Sequence, residues 1–371
     1  MELIIFIVVA VIFLSYSNGA NDNFKGVATL FGSRTVNYKK ALYWATAATF
    51  LGSLFSIYLS NGLISAFSGK GLVSHEIISN IGFIIAIAMG AAGTVMLATL
   101  LGIPISTTHS LIGALIGAGI ASVGSVNIST LGQSFFLPLA VSPFLSFGLT
   151  ALVYPVFKRA RRKLGVEKET CVCVSEGSYE PVMMRTDGSA VLKTTGLRIT
   201  AGRLGDCEQR YNGKLLGIGA QAILDWLHFL SSGMVSFARG LNDTPKIVAL
   251  LVSAKAVGID LKISMLVVGV AMAAGGLLSA RKVAATMSDK IVPMNHGQGF
   301  TANLITALLV TVASKFGIPV STTHVSCGSL FGLGAVTKQG RWKVIRTIIF
   351  AWFITLPAAA LFSSLVYLIV S

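Results

Sequence analysis

Charge is scarce in this chain. Asp, Glu, Lys and Arg make up 12% of its 371 residues, whereas a soluble domain carries roughly a quarter, so there are too few charges to clothe a surface bathed in water. Short runs of alternating polar and apolar residues are also missing, which argues against a transmembrane barrel. Cysteine is sparse, four in all. Cys171, Cys173 and Cys207 fall in the basic centre of the chain and read as reduced cytoplasmic thiols. A Cys-x-Cys pair with one distant Cys lacks the fourth ligand of a structural zinc site. Cys327 lies in an apolar stretch and reads as a packing residue. Neither His-Glu-x-x-His nor Gly-x-Ser-x-Gly occurs, so two common hydrolase signatures are absent. His75, His228 and His296 show no ligand spacing. Met1–Ser17 has no basic flank, and Glu2 is its one charge. It is expected to be a retained first membrane segment, not a signal peptide.

What is present is apolar length. The chain is 54% hydrophobic, with a mean hydropathy of +0.78. Stretches of roughly 18–25 apolar residues, each able to cross a hydrocarbon core about 30 Å thick, recur along it. Backbone groups in lipid must be satisfied internally, so these stretches are expected to be helices. They fall near 2–33, 40–62, 79–101, 104–121 and 132–157, then 214–257, 263–280, 298–316, 318–335 and 343–370. The net charge of +15 sits where membrane topology would put it, not where a nucleic acid would. Much of it lies between Lys158 and Lys214, and the rest in short loops such as Arg34/Lys39/Lys40, Arg281/Lys282/Lys290 and Lys338/Arg341/Lys343/Arg346. With the central segment placed inside, all of these loops count as inside and both termini as outside.

Two motifs occur twice. GIPISTTH at Gly102–His109 returns as GIPVSTTH at Gly317–His324, with seven of eight positions identical and 317 − 102 = 215 residues between them. SNGANDNFKGVATL at Ser17–Leu30 is matched more weakly by ARGLNDTPKIVALL at Ala238–Leu251, sharing Gly-x-Asn-Asp-x-x-Lys. Both pairs keep the same order, which implies duplication. Each half makes an odd number of crossings, so the second copy must insert upside down. The expected fold is an all-α integral membrane protein of two inverted-topology repeats. It would have broken helices, possible re-entrant helical hairpins at 79–121 and 298–335, and roughly 10–12 membrane segments. The expected divisions are a membrane repeat at 1–157, a cytoplasmic linker or small module at 158–213 and the inverted repeat at 214–371. In such transporters the substrate site lies between the repeats near mid-membrane.

The motifs carry distinct chemistry. Asp22 and Asp243 stand in otherwise apolar sequence, where a carboxylate costs about 2.5–3.5 kcal/mol at the bilayer centre and marks a cavity, an ion or a partner. Gly19 and Gly240 would loosen the helix there, and Asn21 and Asn242 would help to break it. The result would be an oxygen-rich cage for a hard cation such as sodium. The structural alternative pairs each Asp with Lys25 or Lys246, three residues on. In the other motif, Gly-x-Pro blocks a helix and Ser106 or Ser321 can cap the next one. Thr107, Thr108, Thr322 and Thr323 then fall in the first turn, where free N–H groups and the helix dipole hold anions such as phosphate. His109 and His324 suit either a proton relay or packing. Asp225 reads as a third charged site or an interfacial residue.

At these residues the chain resembles the PiT family of inorganic phosphate transporters. Its duplicated Gly-Ala-Asn-Asp signature is matched at Gly19–Asp22 and, with Leu241 in place of Ala, at Gly240–Asp243. The Pro-x-Ser-Thr-Thr-His pairs at Pro104–His109 and Pro319–His324 strengthen the match. The resemblance implies a plasma-membrane symporter of phosphate with sodium or protons, and a homodimer. Sodium is favoured, because cages of neutral oxygens suit it better than a proton. Carried over, Asn21, Asp22, Asn242 and Asp243 bind cations. Ser106, Thr107, Thr108, Ser321, Thr322 and Thr323 hold phosphate, with Ser106, Thr107, Ser321 and Thr322 sharing oxygens with sodium. No cofactor is expected. Sulfate transport on the same scaffold is the near alternative. An intramembrane enzyme or a passive anion channel fits the duplication less well than alternating access does.

Overall fold

A computed structural model describes residues 2–69, 71–164, 218–254, 258 and 260–371, with short stretches at 167–168, 173–175, 179–184, 190–194, 198–200, 211–212 and 214–215. The chain divides into two compact units, Met1–Lys158 with Leu224–Ser371, and Arg159–Ile223.

The larger unit is helical. Its first half runs through α1 (Glu2–Asp22), α2 (Ala28–Gly32), α3 (Tyr38–Leu59), α4 (Asn61–Phe67), α5 (His75–Ile78), α6 (Ile81–Leu100), α7 (Thr107–Val123), α8 (Ile128–Leu131) and α9 (Leu137–Lys163). Its second half holds α10 (Ala220–Ser253), α11 (Leu261–Ser279), α12 (Arg281–Ala285), α13 (His296–Lys315), α14 (Thr322–Thr337) and α15 (Trp342–Val370). Every apolar stretch expected from the sequence contains the greater part of one of the long helices. Seven described helices are long and apolar enough to cross a membrane. Three others miss that mark for physical reasons. α7 and α14 have only 17 and 16 residues, and α10 carries Arg239, Asp243 and Lys246 in its apolar middle. Phe144 and Leu152 on α9, and Phe353 and Ile369 on α15, are among many large apolar side chains on the outside, as a multi-pass membrane protein requires.

Helix contacts are close at the centre. α1 packs on α6 and α11, and α15 on α6 and α7. A Cβ on Gly19 would lie 1.9 Å from the Met272 carbonyl oxygen, and one on Gly275 would lie 1.9 Å from that of Tyr16. Both glycines therefore let the backbones of α1 and α11 touch.

In the smaller unit the described residues form antiparallel strand pairs. β1 (Glu167–Lys168), β2 (Cys173–Ser175) and β3 (Tyr179–Met184) are followed by β4 (Ala190–Thr194), β5 (Arg198–Thr200) and β6 (Tyr211–Asn212). β3 pairs with β4, β2 with β5 and β1 with β6, a nested order. The register shifts between Pro181 and Met183, where proline has no N–H to give to a ladder. Lys214–Leu215 pairs with Ile218–Gly219. The central segment thus holds β structure, and the all-α description applies to the membrane unit. Cys171 and Cys207 lie outside the described residues.

Candidate substrate and ion site

Two helical hairpins, α6–α7 and α13–α14, end in matching tips. Gly102 and Gly317 take left-handed backbone (φ 69° and 66°), a conformation that favours glycine. The chain then passes Pro104 and Pro319 without regular secondary structure to the caps Ser106 and Ser321, whose backbone is extended. The Ser106 hydroxyl accepts from the His109 N–H at 3.1 Å, and the Ser321 hydroxyl from the His324 N–H at 3.2 Å. Both capping roles match the sequence expectation. Thr107 and Thr322 open their helices, and all four motif threonines are buried.

The two Asn-Asp motifs sit on different local structures. α1 stops at Asp22, a 3₁₀ turn covers Asn23–Gly26, and α2 resumes at Ala28, so the expected interruption is present there. In the second half α10 runs unbroken through Asn242, Asp243 and Pro245, which corrects the expectation of a matching break. Gly240 does not loosen the helix. A Cβ there would lie 2.2 Å from the Thr49 carbonyl oxygen, so the glycine is spent on close packing against α3.

Around these motifs the polar groups form one buried network. The Lys25 ammonium donates to Asp22 Oδ1 (2.5 Å), Thr323 Oγ1 (2.6 Å), the Ile105 carbonyl (2.7 Å) and Asn21 Oδ1 (2.9 Å). The Lys246 ammonium donates to the Val320 carbonyl (2.6 Å) and Thr108 Oγ1 (2.8 Å), with Asp243 Oδ1 at 3.7 Å. The pattern is reciprocal. Each lysine takes a threonine from the other copy's Ser-Thr-Thr-His motif and a tip carbonyl from its own. Asn21 donates to Thr99 Oγ1 (2.9 Å), while Asn242 Oδ1 accepts from Ser314 (3.3 Å), and Thr99 and Ser314 keep the offset 314 − 99 = 215 of the hairpin repeat.

Between the carboxylates stands Asn18, one residue before the shared Gly-x-Asn-Asp-x-x-Lys core of the first motif. Its amide donates to Thr107 Oγ1 (3.0 Å), Asp243 Oδ2 (3.2 Å) and Asp22 Oδ2 (3.4 Å). Its oxygen accepts from Arg239 (2.8 Å), whose Nε lies 3.6 Å from Asp243 Oδ2. Arg239 is 1% exposed, and i,i+4 spacing to Asp243 was the signal that could have found it. Among the described residues, the buried charged side chains of the unit are therefore three cations, Lys25, Arg239 and Lys246, and two carboxylates, Asp22 and Asp243. With all five charged, the network has 3 − 2 = one positive charge to spare, which suits an anion.

The predicted residues thus converge, with different fates. Asn21, Asp22, Thr107, Thr108, Asn242, Asp243 and Thr323 join the network directly. Ser106 and Ser321 turn their hydroxyls to capping. Thr322 is buried at the start of α14. The rings of His109 and His324 meet edge to face, 4.3 Å between centroids, and His324 lies 3.9 Å from the Trp352 ring. His228 and His296, to which spacing assigns no role, form a separate polar cluster. His296 Nδ1 is 2.5 Å from Asp225 Oδ1, and Thr35 Oγ1 is 3.3 Å from Nδ1 of both His296 and His228. Asp225 is accordingly a hydrogen-bond partner of His296.

The model of a family described as the phosphate transporter family matches residues 18–363. A Rhizobium meliloti protein bearing the name of a low-affinity inorganic phosphate transporter is 28% identical over 98% of this chain and 96% of its own. A Pyrococcus abyssi protein bearing the name of a phosphate permease is 25% identical over 95% of this chain and 94% of its own. Among solved structures, one described as the sodium-dependent phosphate transporter superposes with a TM-score of 0.77 at 21% identity, covering 100% of this chain and 99% of that one. At that identity the likeness speaks for the fold.

Proposed function

This chain belongs to the phosphate transporter family, and from that we propose that it imports inorganic phosphate by secondary active transport coupled to cations. Membership of a transporter family removes the enzyme alternative. One observation carries the reading. The two Ser-Thr-Thr helix starts, one from each half, converge on a buried network that holds both Asp-bearing motifs and one surplus positive charge. Helix starts hold phosphate through free N–H groups and the dipole, and Thr107, Thr108, Thr322 and Thr323 add hydroxyls. The reciprocal contacts of Lys25 and Lys246 support two copies related by a pseudo-two-fold, hence inverted repeats. The burial of every network residue supports an occluded site that opens to one side at a time. The basic loops support a cytoplasmic central segment with both termini outside, in the plasma membrane.

Two drivers compete. Likeness to a transporter described as sodium-dependent favours sodium, acting with Asp22 and Asp243. The lysines lying within the oxygen cages favour a driver that needs neither cage. Labelled phosphate uptake by purified protein in proteoliposomes tests the core reading. Asp22→Asn and Asp243→Asn are each expected to lower it by about tenfold or more. Wild-type rates in both variants would sink the assignment, and stronger competition by sulfate than by unlabelled phosphate would redirect it to the sulfate alternative.

A further inference from the structure

Four oxygens surround the Lys25 ammonium within 2.9 Å: a carboxylate, a side-chain amide, a hydroxyl and a backbone carbonyl. An ammonium has three protons to donate. Four oxygens of this mixture are a coordination shell of the kind a hard metal cation takes, and here the shell is closed on a side chain. The related shell from the other half holds Lys246 with Thr108, the Val320 carbonyl and Asp243. These are the two places where the Asn-Asp motifs build oxygen-rich pockets. Each is filled by a cation covalently fixed three residues further along the same motif.

We infer that Lys25 and Lys246 are tethered cations that occupy both Asn-Asp cages permanently, so that phosphate is bound and carried with no sodium ion at either cage. The inference rests on the phosphate reading above. It assigns to the lysines the work a diffusible cation would otherwise do. They neutralise Asp22 and Asp243, tie each half's Asp motif to the other half's helix start, and leave the anion facing one net positive charge. Geometry also excludes a second cation in the first cage. Asp22 Oδ1, Asn21 Oδ1, Thr323 Oγ1 and the Ile105 carbonyl already converge on one nitrogen. A sodium ion there would displace the ammonium, leaving a buried, uncompensated charge. Charge balance points the same way. A monoanionic phosphate brings the five charged side chains and their ligand to zero, so the proton phosphate itself carries can serve as the co-transported ion.

Phosphate exchange decides the matter. Proteoliposomes loaded with unlabelled phosphate are placed in labelled phosphate, with sodium or choline as the only added cation. Exchange is expected to be the same in both within about twofold. A drop of about tenfold or more in choline would overturn the inference and leave phosphate transport standing. Absence of exchange in both media would overturn the phosphate reading itself. In Lys25→Asn the first cage loses its fixed charge. Exchange is expected to fall about tenfold or more in choline and to recover partly in sodium. Wild-type exchange by this variant in choline would also overturn the inference. Should the variant not fold, the wild-type comparison still decides.

Discussion

At the scale of single residues, the lysines and glycines of the repeated motifs carry more than their spacing reveals. Gly19 and Gly240 read naturally as helix looseners beside Asn-Asp, yet both serve close backbone packing. Composition cannot separate these uses, because each needs only the missing Cβ. Gly19→Ala is expected to force α1 away from α11 and lower stability by about 1–3 kcal/mol, the range for overpacking. Gly93→Ala, on α6 with nothing within 4 Å of its Cβ, should be neutral or slightly stabilising. Thermal unfolding in detergent compares the two, and equal melting points would refute the packing role. The lysines were legible as i,i+3 partners of the aspartates, whereas their contacts to Thr323 and Thr108 were not, since 298 and 138 residues separate the partners. The buried pair also predicts a non-additive response. Asp22→Asn alone strands the Lys25 charge and should destabilise by about 3–5 kcal/mol. The double variant with Lys25→Met should recover much of that loss. Additive losses in the same assay would show that the pair is not coupled.

Secondary-structure elements were largely readable where chain chemistry is local. Gly-x-Pro followed by Ser-Thr-Thr-His predicted a stop, a cap and a helix start, and both copies comply with Ser106 and Ser321 as caps. The Asn-Asp break was readable only in α1. There Asn23, Phe24 and Gly26 follow in a 3₁₀ turn. In α10 the same motif stays helical, because packing of Gly240 on α3 and the anchoring of Asn242 to Val320 and Ser314 hold the backbone through Pro245. Tertiary contacts overrode local preference. For the hairpins the capping geometry gives a direct expectation. Ser321→Ala should weaken the start of α14 by about 0.5–2 kcal/mol, and Ser321→Asn should keep most of the stability because asparagine also caps. A melting series of the three proteins checks the order, and equal losses in both variants would mean the hydroxyl contributes something other than a cap.

For the molecule as a whole, the long apolar stretches pointed to a multi-pass helical membrane protein, but not to what each half does for the other. The hairpin tips show it. The α6–α7 tip belongs to the first half and is held by the second: Thr286 Oγ1 donates to the Gly102 carbonyl at 2.8 Å, and Lys282 Nζ to that of Leu100 at 2.8 Å. The α13–α14 tip belongs to the second half and rests on the first, where a Cβ on Gly62 would come within 3.0 Å of the Gly317 Cα. Each half thus braces the other's hairpin tip, so a movement that frees one tip must release one brace and keep the other. These braces lie outside the network of Asp22 and Asp243, so weakening one should shift how often a tip opens without removing any group proposed to touch phosphate. Thr286→Val deletes one hydrogen bond to the first tip, worth about 1 kcal/mol, or about a fivefold change in an opening equilibrium. With the native cysteines replaced and a single cysteine introduced by Ile103→Cys, the rate of labelling by a water-soluble thiol reagent reports that opening. The rate should rise about fivefold in the Thr286→Val background, in proportion to the weakened brace. An unchanged rate would mean that the contact between Thr286 and Gly102 does not restrain the tip and that the halves are coupled elsewhere.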